Sequence, residues 1–136
     1  MDLYAENILD HYRHPRTKKS LDAPSVTHEE VNVSCGDALT IHLTIAAGRI
    51  SEIGWEGSGC AISQAAMSML SEELAGTLLD DVASLQKEHV YDLLGVPIGP
   101  RRVKCALLCL HTLKNAVRKL KREEARGWGE MVGRSS

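Results

Sequence analysis

Three cysteines lie at boundaries between predicted elements of the chain. Cys35 precedes the strongest predicted strand, Cys60 begins a helix after a glycine-rich loop, and Cys105 lies in the first turn of the last helix. The N-terminus of a helix carries unpaired N–H groups and a partial positive charge, and both stabilise a thiolate. Because the thiolate is the form that attacks sulfur and binds metal, these positions favour either kind of chemistry.

A carboxylate can complete a set of four ligands with these thiols. Asp37 lies two residues after Cys35, and the glycines at 36 and 59 allow the backbone to approach a bound ion or cluster. Three sulfurs and one carboxylate oxygen suit tetrahedral zinc or iron. The sequence therefore predicts a candidate site that contains Cys35, Asp37, Cys60 and Cys105.

Several residues with the same chemistry are better explained by packing. A free cysteine is often a small buried apolar residue, and the chain has no Cys-x-x-Cys pair typical of zinc ribbons or thioredoxins. Cys109 lies among leucines one helical turn after Cys105, which favours packing. His11 and His14 have no third ligand nearby, so we expect surface or packing roles for them. His42 lies on the polar face of its strand and is predicted to be exposed.

Length and composition limit the class of protein. The 136 residues contain no internal repeat and suit one domain, and the formal net charge of −2 argues against a nucleic-acid binder. No apolar run reaches the roughly 20 residues that cross a bilayer, and the acidic N-terminus does not resemble a signal peptide. We therefore expect no membrane partner, a cytoplasmic location, and thiols rather than disulfides.

Three strands and about five helices must position the candidate ligands. The clearest strand is 39–45, where apolar and polar residues alternate, and 26–33 and 50–56 are predicted to flank it as an antiparallel meander. Apolar periodicity and stop signals predict helices over 2–14, 61–75, 80–85, 87–94 and 102 to about 125. Strands followed by helices predict an α+β fold, with a small three-stranded antiparallel sheet packed against about five helices. We assign residues 1–126 to this single domain and 127–136 to a flexible C-terminal tail.

Four stretches occur in order between residue 3 and about residue 120. They are Leu3-Tyr4 with Ile8–Tyr12 and Pro15-Arg16, then Asn32–Asp37, then Gly57–Ser63 with Ala65–Ser68, and finally Pro100–Leu108. Together these stretches resemble the U-type iron–sulfur cluster assembly scaffolds, the group that contains IscU, SufU and the N-terminal domain of NifU. The third stretch is the most specific of the four.

The resemblance implies the fold of this family and a role for particular residues. Cys35, Asp37, Cys60 and Cys105 match the residues that bind the cluster or a metal, and Cys105 matches the thiol that accepts persulfide sulfur. Members of the family receive sulfur from a cysteine desulfurase, and iron from an iron donor where one takes part. They build a [2Fe–2S] cluster and pass it to apo-proteins. The resemblance therefore implies a scaffold and carrier rather than an enzyme.

The chain also departs from one branch of the family. Lys104 occupies the position of a histidine, and the segment 98–102 lacks the Leu-Pro-Pro-Val-Lys sequence, so docking of the Hsp70-type chaperone is not predicted. Lys104, Pro100 and Arg102 are similar to SufU, whose members bind Zn²⁺ and relay sulfur, yet the chain lacks the insertion that SufU usually carries. A zinc-bound sulfur relay that activates its desulfurase therefore stays open, as does a structural zinc domain used only for protein interaction.

Overall fold

A three-stranded antiparallel sheet forms one layer of the molecule. The computed structural model describes residues 2–121. Strand β1 is Val26–Asn32, β2 is Asp37–Ala46 and β3 is Arg49–Ser58, and they lie in the order β1-β2-β3. Both pairs are antiparallel, with one register shift between Thr44 and Ile45. The predicted meander is confirmed, and each strand reaches within a few residues of its expected limits.

Five α-helices accompany the sheet within residues 2–121. They are α1 (Leu3–Arg13), α2 (Ala61–Glu72), α3 (Leu79–Ser84), α4 (Lys87–Leu94) and α5 (Val103–Leu120), with a 3₁₀ turn at Pro100–Arg102 before α5. The predicted α+β class is therefore confirmed. The predicted end of the last helix near Ala125 and the assigned tail, 127–136, lie outside the described residues. Among the helices of residues 2–121, none is both long and apolar enough to span a bilayer.

The core lies between the inner face of the sheet and the helices. Leu39, Ile41 and Leu43 alternate along β2 and are fully buried, as their period-two pattern predicts. Helix α5 packs on β1 and β2, and α2 packs between α1 and α5. The apolar stripe of α5 is buried at Leu107, Leu110, Leu113 and Val117. This packing fixes the start of α5 close to the turn that joins β1 to β2.

Helix α2 ends three residues before its predicted end at Ala75. The last helical residue is Glu72, because the chain then turns to meet the sheet. The amide of Gly76 donates to the carbonyl of Ile50 at 2.7 Å, in a backbone with a positive φ of 86°. The N–H of Gly76 therefore pairs with β3, whereas in a longer α2 it would pair within the helix.

The prediction that His42 is exposed is wrong. The imidazole is buried on the outer face of the sheet, where Nδ1 contacts Thr27 Oγ1 at 3.0 Å and Nε2 contacts Glu56 Oε1 at 2.6 Å. Its partner across the strands is Gly54, over which the backbone of Lys19 passes. A loop segment distant from β2 in sequence therefore covers part of the outer face of the sheet, although the alternation of polar and apolar residues in β2 predicts that this face is exposed to solvent.

Candidate functional site

Three of the four predicted ligands converge at one end of the sheet. One donor atom from each of Cys35, Asp37 and Cys105 lies within 4.8 Å of the other two. Cys35 belongs to the turn after β1, Asp37 is the first residue of β2, and Cys105 is the third residue of α5. The two sulfur atoms are 3.3 Å apart, with the thiol of Cys105 donating to Cys35. Two thiols and a carboxylate form a group able to hold a metal ion.

The carboxylate of Asp37 has one oxygen aimed at no donor. The residue is fully buried, and Oδ1 accepts a 2.8 Å hydrogen bond from the backbone N–H of Cys60. The other oxygen, Oδ2, is buried without a hydrogen-bond partner among the described residues. A buried carboxylate oxygen is costly without a donor or a cation. The donor set and this orphaned oxygen therefore fit a bound cation.

Cys60 joins the site through its backbone and not through its sulfur. Its Sγ is outside the group of three donors and accepts the backbone N–H of Ser63 at 3.5 Å, so the thiol caps the N-terminus of α2. The residue is half-buried. The predicted position at the start of a helix is confirmed, while the structure does not bring the Cys60 sulfur, the fourth predicted ligand, together with the other three donors.

Glycine is required at position 59, where the chain passes over Asp37. Its φ is +143°, in the region that favours glycine, and a Cβ there would overlap the Asp37 carboxyl group. The expected approach of the Gly59 backbone to a bound ion or cluster stays a prediction, and the close approach that the structure shows is to the Asp37 carboxyl group. This contact brings the amide of Cys60 onto Asp37 Oδ1 and holds the two segments together.

The expected stabilisation of a Cys105 thiolate at the start of a helix is wrong for the metal-free chain. Burial raises the pKa of Cys105 far above its usual range, and the adjacent Cys35 thiol and Asp37 carboxylate raise it further. Desolvation therefore disfavours the Cys105 thiolate in the metal-free chain. A bound cation reverses this balance, because a thiol that coordinates a metal releases its proton to the solvent and binds as the thiolate.

Cys109 has the packing role that the sequence favours. It is fully buried, and its thiol donates to the Ala106 carbonyl of its own helix at 3.6 Å. Burial raises the pKa of Cys109 to about 12. His11 is buried as well, with Nδ1 2.7 Å from Ser68 Oγ, whereas His14 is exposed at the end of α1.

A cavity of about 350 Å³ opens beside Cys35. It is lined by Cys35 together with Asn32, Ser34, Pro100, Arg101, Val103 and Lys104. The side chain of Asn32 is buried and donates to Cys105 Sγ at 3.9 Å. Asn32 has no role predicted from the sequence, although it falls in the same stretch as Cys35 and Asp37. Lys104 also lines the cavity next to Cys35.

The chain is similar over most of its length to known proteins. Residues 3–126 match the family described as the NifU-like N terminal domain. The chain is 32% identical to the iron–sulfur cluster assembly scaffold protein IscU of Thermotoga maritima, over 88% of this chain and 96% of that protein. It is 31% identical to the zinc-dependent sulfurtransferase SufU of Bacillus subtilis, over 86% of this chain and 90% of that protein.

A solved structure has the same fold. It is a candidate iron–sulfur cluster assembly scaffold protein for the SUF system from Fervidobacterium islandicum, 26% identical to this chain, with a TM-score of 0.74. The match covers 82% of this chain and 94% of that one. The likeness therefore extends over nearly the whole of the described α+β fold.

Proposed function

Since the chain belongs to the NifU-like N-terminal domain family, we propose that it is an iron–sulfur cluster assembly scaffold. In this function it accepts sulfur from a cysteine desulfurase, assembles a [2Fe–2S] cluster and transfers the cluster to apo-proteins. Iron and sulfide are substrates and the cluster is cargo. The partners are therefore a desulfurase, a source of ferrous iron, and apo-proteins with free thiol ligands.

One observation carries the proposal. Two thiols and a carboxylate oxygen of Asp37 converge within 4.8 Å at an edge of the fold where Cys35 is exposed, and Asp37 Oδ2 has no hydrogen-bond partner among the described residues. A closed structural zinc site surrounds its metal with four fixed ligands. Here one ligand is exposed and one predicted sulfur, Cys60, caps a helix instead. An open, incompletely assembled site suits cargo that must enter and leave.

The proposed ligands have different tasks. Cys35 and Cys105 supply thiolates, and rotation of the Cys60 side chain away from the Ser63 N–H brings a third. Asp37 supplies an oxygen, which is a harder ligand than thiolate and binds iron less durably. We expect Asp37 to be the ligand that leaves first when the cluster is transferred.

Cys105 is the proposed acceptor of sulfur. Its thiolate attacks the outer sulfur of the desulfurase persulfide, a persulfide forms on Cys105, and the desulfurase cysteine leaves as a thiolate. Two electrons from an external reductant then release sulfide. Because Cys105 is only 1% exposed and its sulfur contacts Cys35, the turn after β1 must move to admit the donor.

Anaerobic reconstitution tests the scaffold proposal. The full chain is incubated with ferrous iron, cysteine and a cysteine desulfurase, and the visible spectrum, iron and acid-labile sulfide are recorded. We expect a [2Fe–2S] spectrum with stoichiometric iron and sulfide, which Cys35→Ser, Cys60→Ser and Cys105→Ser each lose. Cys109→Ser is the matched control and keeps the cluster, because Cys109 is buried outside the site. A full cluster in the Cys105→Ser variant would refute the proposed ligand set.

A zinc-bound sulfur relay is the second candidate function. Lys104 occupies the SufU-like position, and the Bacillus subtilis relative is named a zinc-dependent sulfurtransferase. Tightly held zinc, no cluster after reconstitution and faster desulfurase turnover would favour the relay. A structural zinc domain would differ from both, because labelled sulfur from the desulfurase would not appear on Cys105.

A further inference from the structure

Cys35 and Cys105 form a close pair of thiols with very different access to solvent. Their sulfur atoms are 3.3 Å apart although the residues are 70 positions apart in the chain. Cys35 is exposed on the turn after β1, whereas Cys105 is 1% exposed at the start of α5. A disulfide requires a sulfur–sulfur distance of about 2.05 Å. A small movement of the exposed turn would therefore let the two sulfurs bond.

The cavity beside Cys35 offers a place for a reactant with negative charge. Arg101 and Lys104 line it, both are exposed, and the Cys35 side chain forms part of the same wall. Among residues 2–121, no Asp or Glu lines this cavity. A guanidinium and an ammonium group beside a thiol favour a carboxylate-bearing ligand whose sulfur lies over Cys35.

We propose that the metal-free chain binds an anionic low-molecular-weight disulfide in this cavity and is oxidised by it to a reversible Cys35–Cys105 disulfide. The order of reaction follows from access. The exposed Cys35 meets the oxidant first, and the buried Cys105 resolves the product. The reaction uses the thiols of the metal-free chain, so it is the same whether the site otherwise carries a cluster or zinc.

The two exchange steps balance in atoms and electrons. The Cys35 thiolate attacks one sulfur of the oxidant, forming a mixed disulfide on Cys35 and releasing one small thiolate. The Cys105 sulfur then attacks Cys35 Sγ and gives up its proton to the second small thiolate as that thiolate leaves, forming the internal disulfide. The two protons lost by the cysteines end on the two released thiols. The protein loses two electrons, and the small disulfide gains them.

The disulfide would act as a redox switch on the candidate site. It removes two of the three converged donors, so the oxidised chain cannot hold a metal ion or a cluster at this site. Bound metal in turn occupies both sulfurs and protects them. Reduction by a small thiol in excess restores both ligands, because each exchange step is reversible.

Oxidised glutathione is the probe, and the full chain stripped of metal by a chelator is the sample. We expect two thiols to be lost per chain and a Cys35–Cys105 cross-linked peptide in the digest. In Cys105→Ser, glutathione should accumulate on Cys35 because no resolving thiol remains. Cys60→Ser should still form the cross-link, since the Cys60 sulfur caps α2. A cross-link through Cys60, or a stable mixed disulfide in the wild type, would overturn the proposal.

Matched arginine variants test the cavity. Arg101→Gln should slow oxidation by glutathione disulfide roughly two- to fivefold, the size expected for one exposed charge pair. It should not slow oxidation by cystamine, a disulfide of positive charge. Arg102→Gln is the control, because Arg102 is exposed in the same turn but does not line the cavity. Equal slowing by both arginine variants, or equal slowing with both oxidants, would exclude binding in this cavity.

Discussion

Asp37 is the residue whose replacement separates cluster assembly from cluster release. Asp37→Ala removes the oxygen ligand and leaves sulfur donors, so we expect a longer-lived cluster. Transfer of the cluster to an apo-acceptor should slow roughly tenfold, which is the lower end of the range of effects expected when the surroundings of a bound metal are changed. Lifetime is measured by loss of visible absorbance under a chelator, and transfer by the appearance of holo-acceptor.

A second substitution isolates the cause of this effect. In the wild type, the Cys60 N–H donates to Asp37 Oδ1 at 2.8 Å. Asp37→Asn keeps an oxygen that can accept this hydrogen bond but removes the negative charge. If loss of the anionic ligand slows transfer, Ala and Asn should behave alike. An effect of Ala alone would show that the residue acts by anchoring Cys60. Transfer as fast as that of the wild type from both variants would contradict the role of Asp37.

Gly59 is a position where a single methyl group should damage the site. In Gly59→Ala the new Cβ overlaps the Asp37 carboxyl group, and φ of +143° is unfavourable for alanine. We expect a loss of about 1–3 kcal/mol in the free energy of unfolding, together with roughly 10–100-fold weaker metal binding. Urea unfolding and competition with a chromogenic chelator measure the two effects.

Gly48 provides the matched control for this substitution. It also has a positive φ, of 74°, but a Cβ there meets nothing within 4 Å. Gly48→Ala should therefore cost stability through backbone strain alone and leave metal affinity unchanged. Equal loss of metal affinity in the two variants would show that overlap with Asp37 is not the cause.

Helix α5 places two cysteines one turn apart in opposite roles. Cys105 contacts Cys35 across the site, while Cys109 donates to the Ala106 carbonyl within the helix. We expect Cys105→Ala to abolish stoichiometric binding of Zn²⁺ or iron. Cys109→Ala should keep it and cost about 1 kcal/mol of stability for the lost buried atom. Metal content after gel filtration is the measurement, and loss of metal from Cys109→Ala would give that thiol a place in the site.

The elements themselves could largely be predicted from sequence, because their signals are local. Helix α4 was expected at 87–94 and occupies Lys87–Leu94. The exceptions have distant causes: α2 ends early where Gly76 pairs with Ile50, and His42 is buried beside a crossing loop. The 3.3 Å contact between the sulfurs of Cys35 and Cys105, which lie 70 positions apart in the chain, likewise depends on residues distant in sequence. Periodicity cannot supply such contacts, and the indications of which cysteines would meet were their positions at element boundaries and the family resemblance.

At the scale of the whole molecule, two buried histidines tie layers of the fold together. Ser68 Oγ accepts a hydrogen bond from the backbone N–H of Arg16, so the Ser68 hydroxyl is free to donate its own hydrogen bond to His11 Nδ1. This contact joins α1 to α2. His111 on α5 lies 3.4 Å from the Glu30 carboxylate on β1. Burial lowers the pKa of both imidazoles, more than the adjacent carboxylates raise it. Both contacts therefore belong to the neutral histidine.

The metal-free chain should consequently lose stability as the pH falls. A histidine in the unfolded chain has a pKa of about 6.5, so below that pH the unfolded state binds protons that the folded state resists. The contribution is fully present above pH 6.5 and is lost as the pH falls from 6.5 toward the lowered folded values. Urea unfolding between pH 7.5 and about pH 5.5, above the range where most carboxylates titrate, measures this slope.

Three substitutions assign the slope to particular residues. His11→Gln and His111→Gln should each flatten the dependence of unfolding free energy on pH, because each removes one group that takes up a proton on unfolding. His14→Gln is the control, since His14 is exposed at the end of α1, and its slope should match that of the wild type. A wild-type slope in both buried-site variants would mean that neither imidazole is held neutral by the fold. A chelator must be present throughout, because metal at Cys105 would add its own proton release to the measured slope.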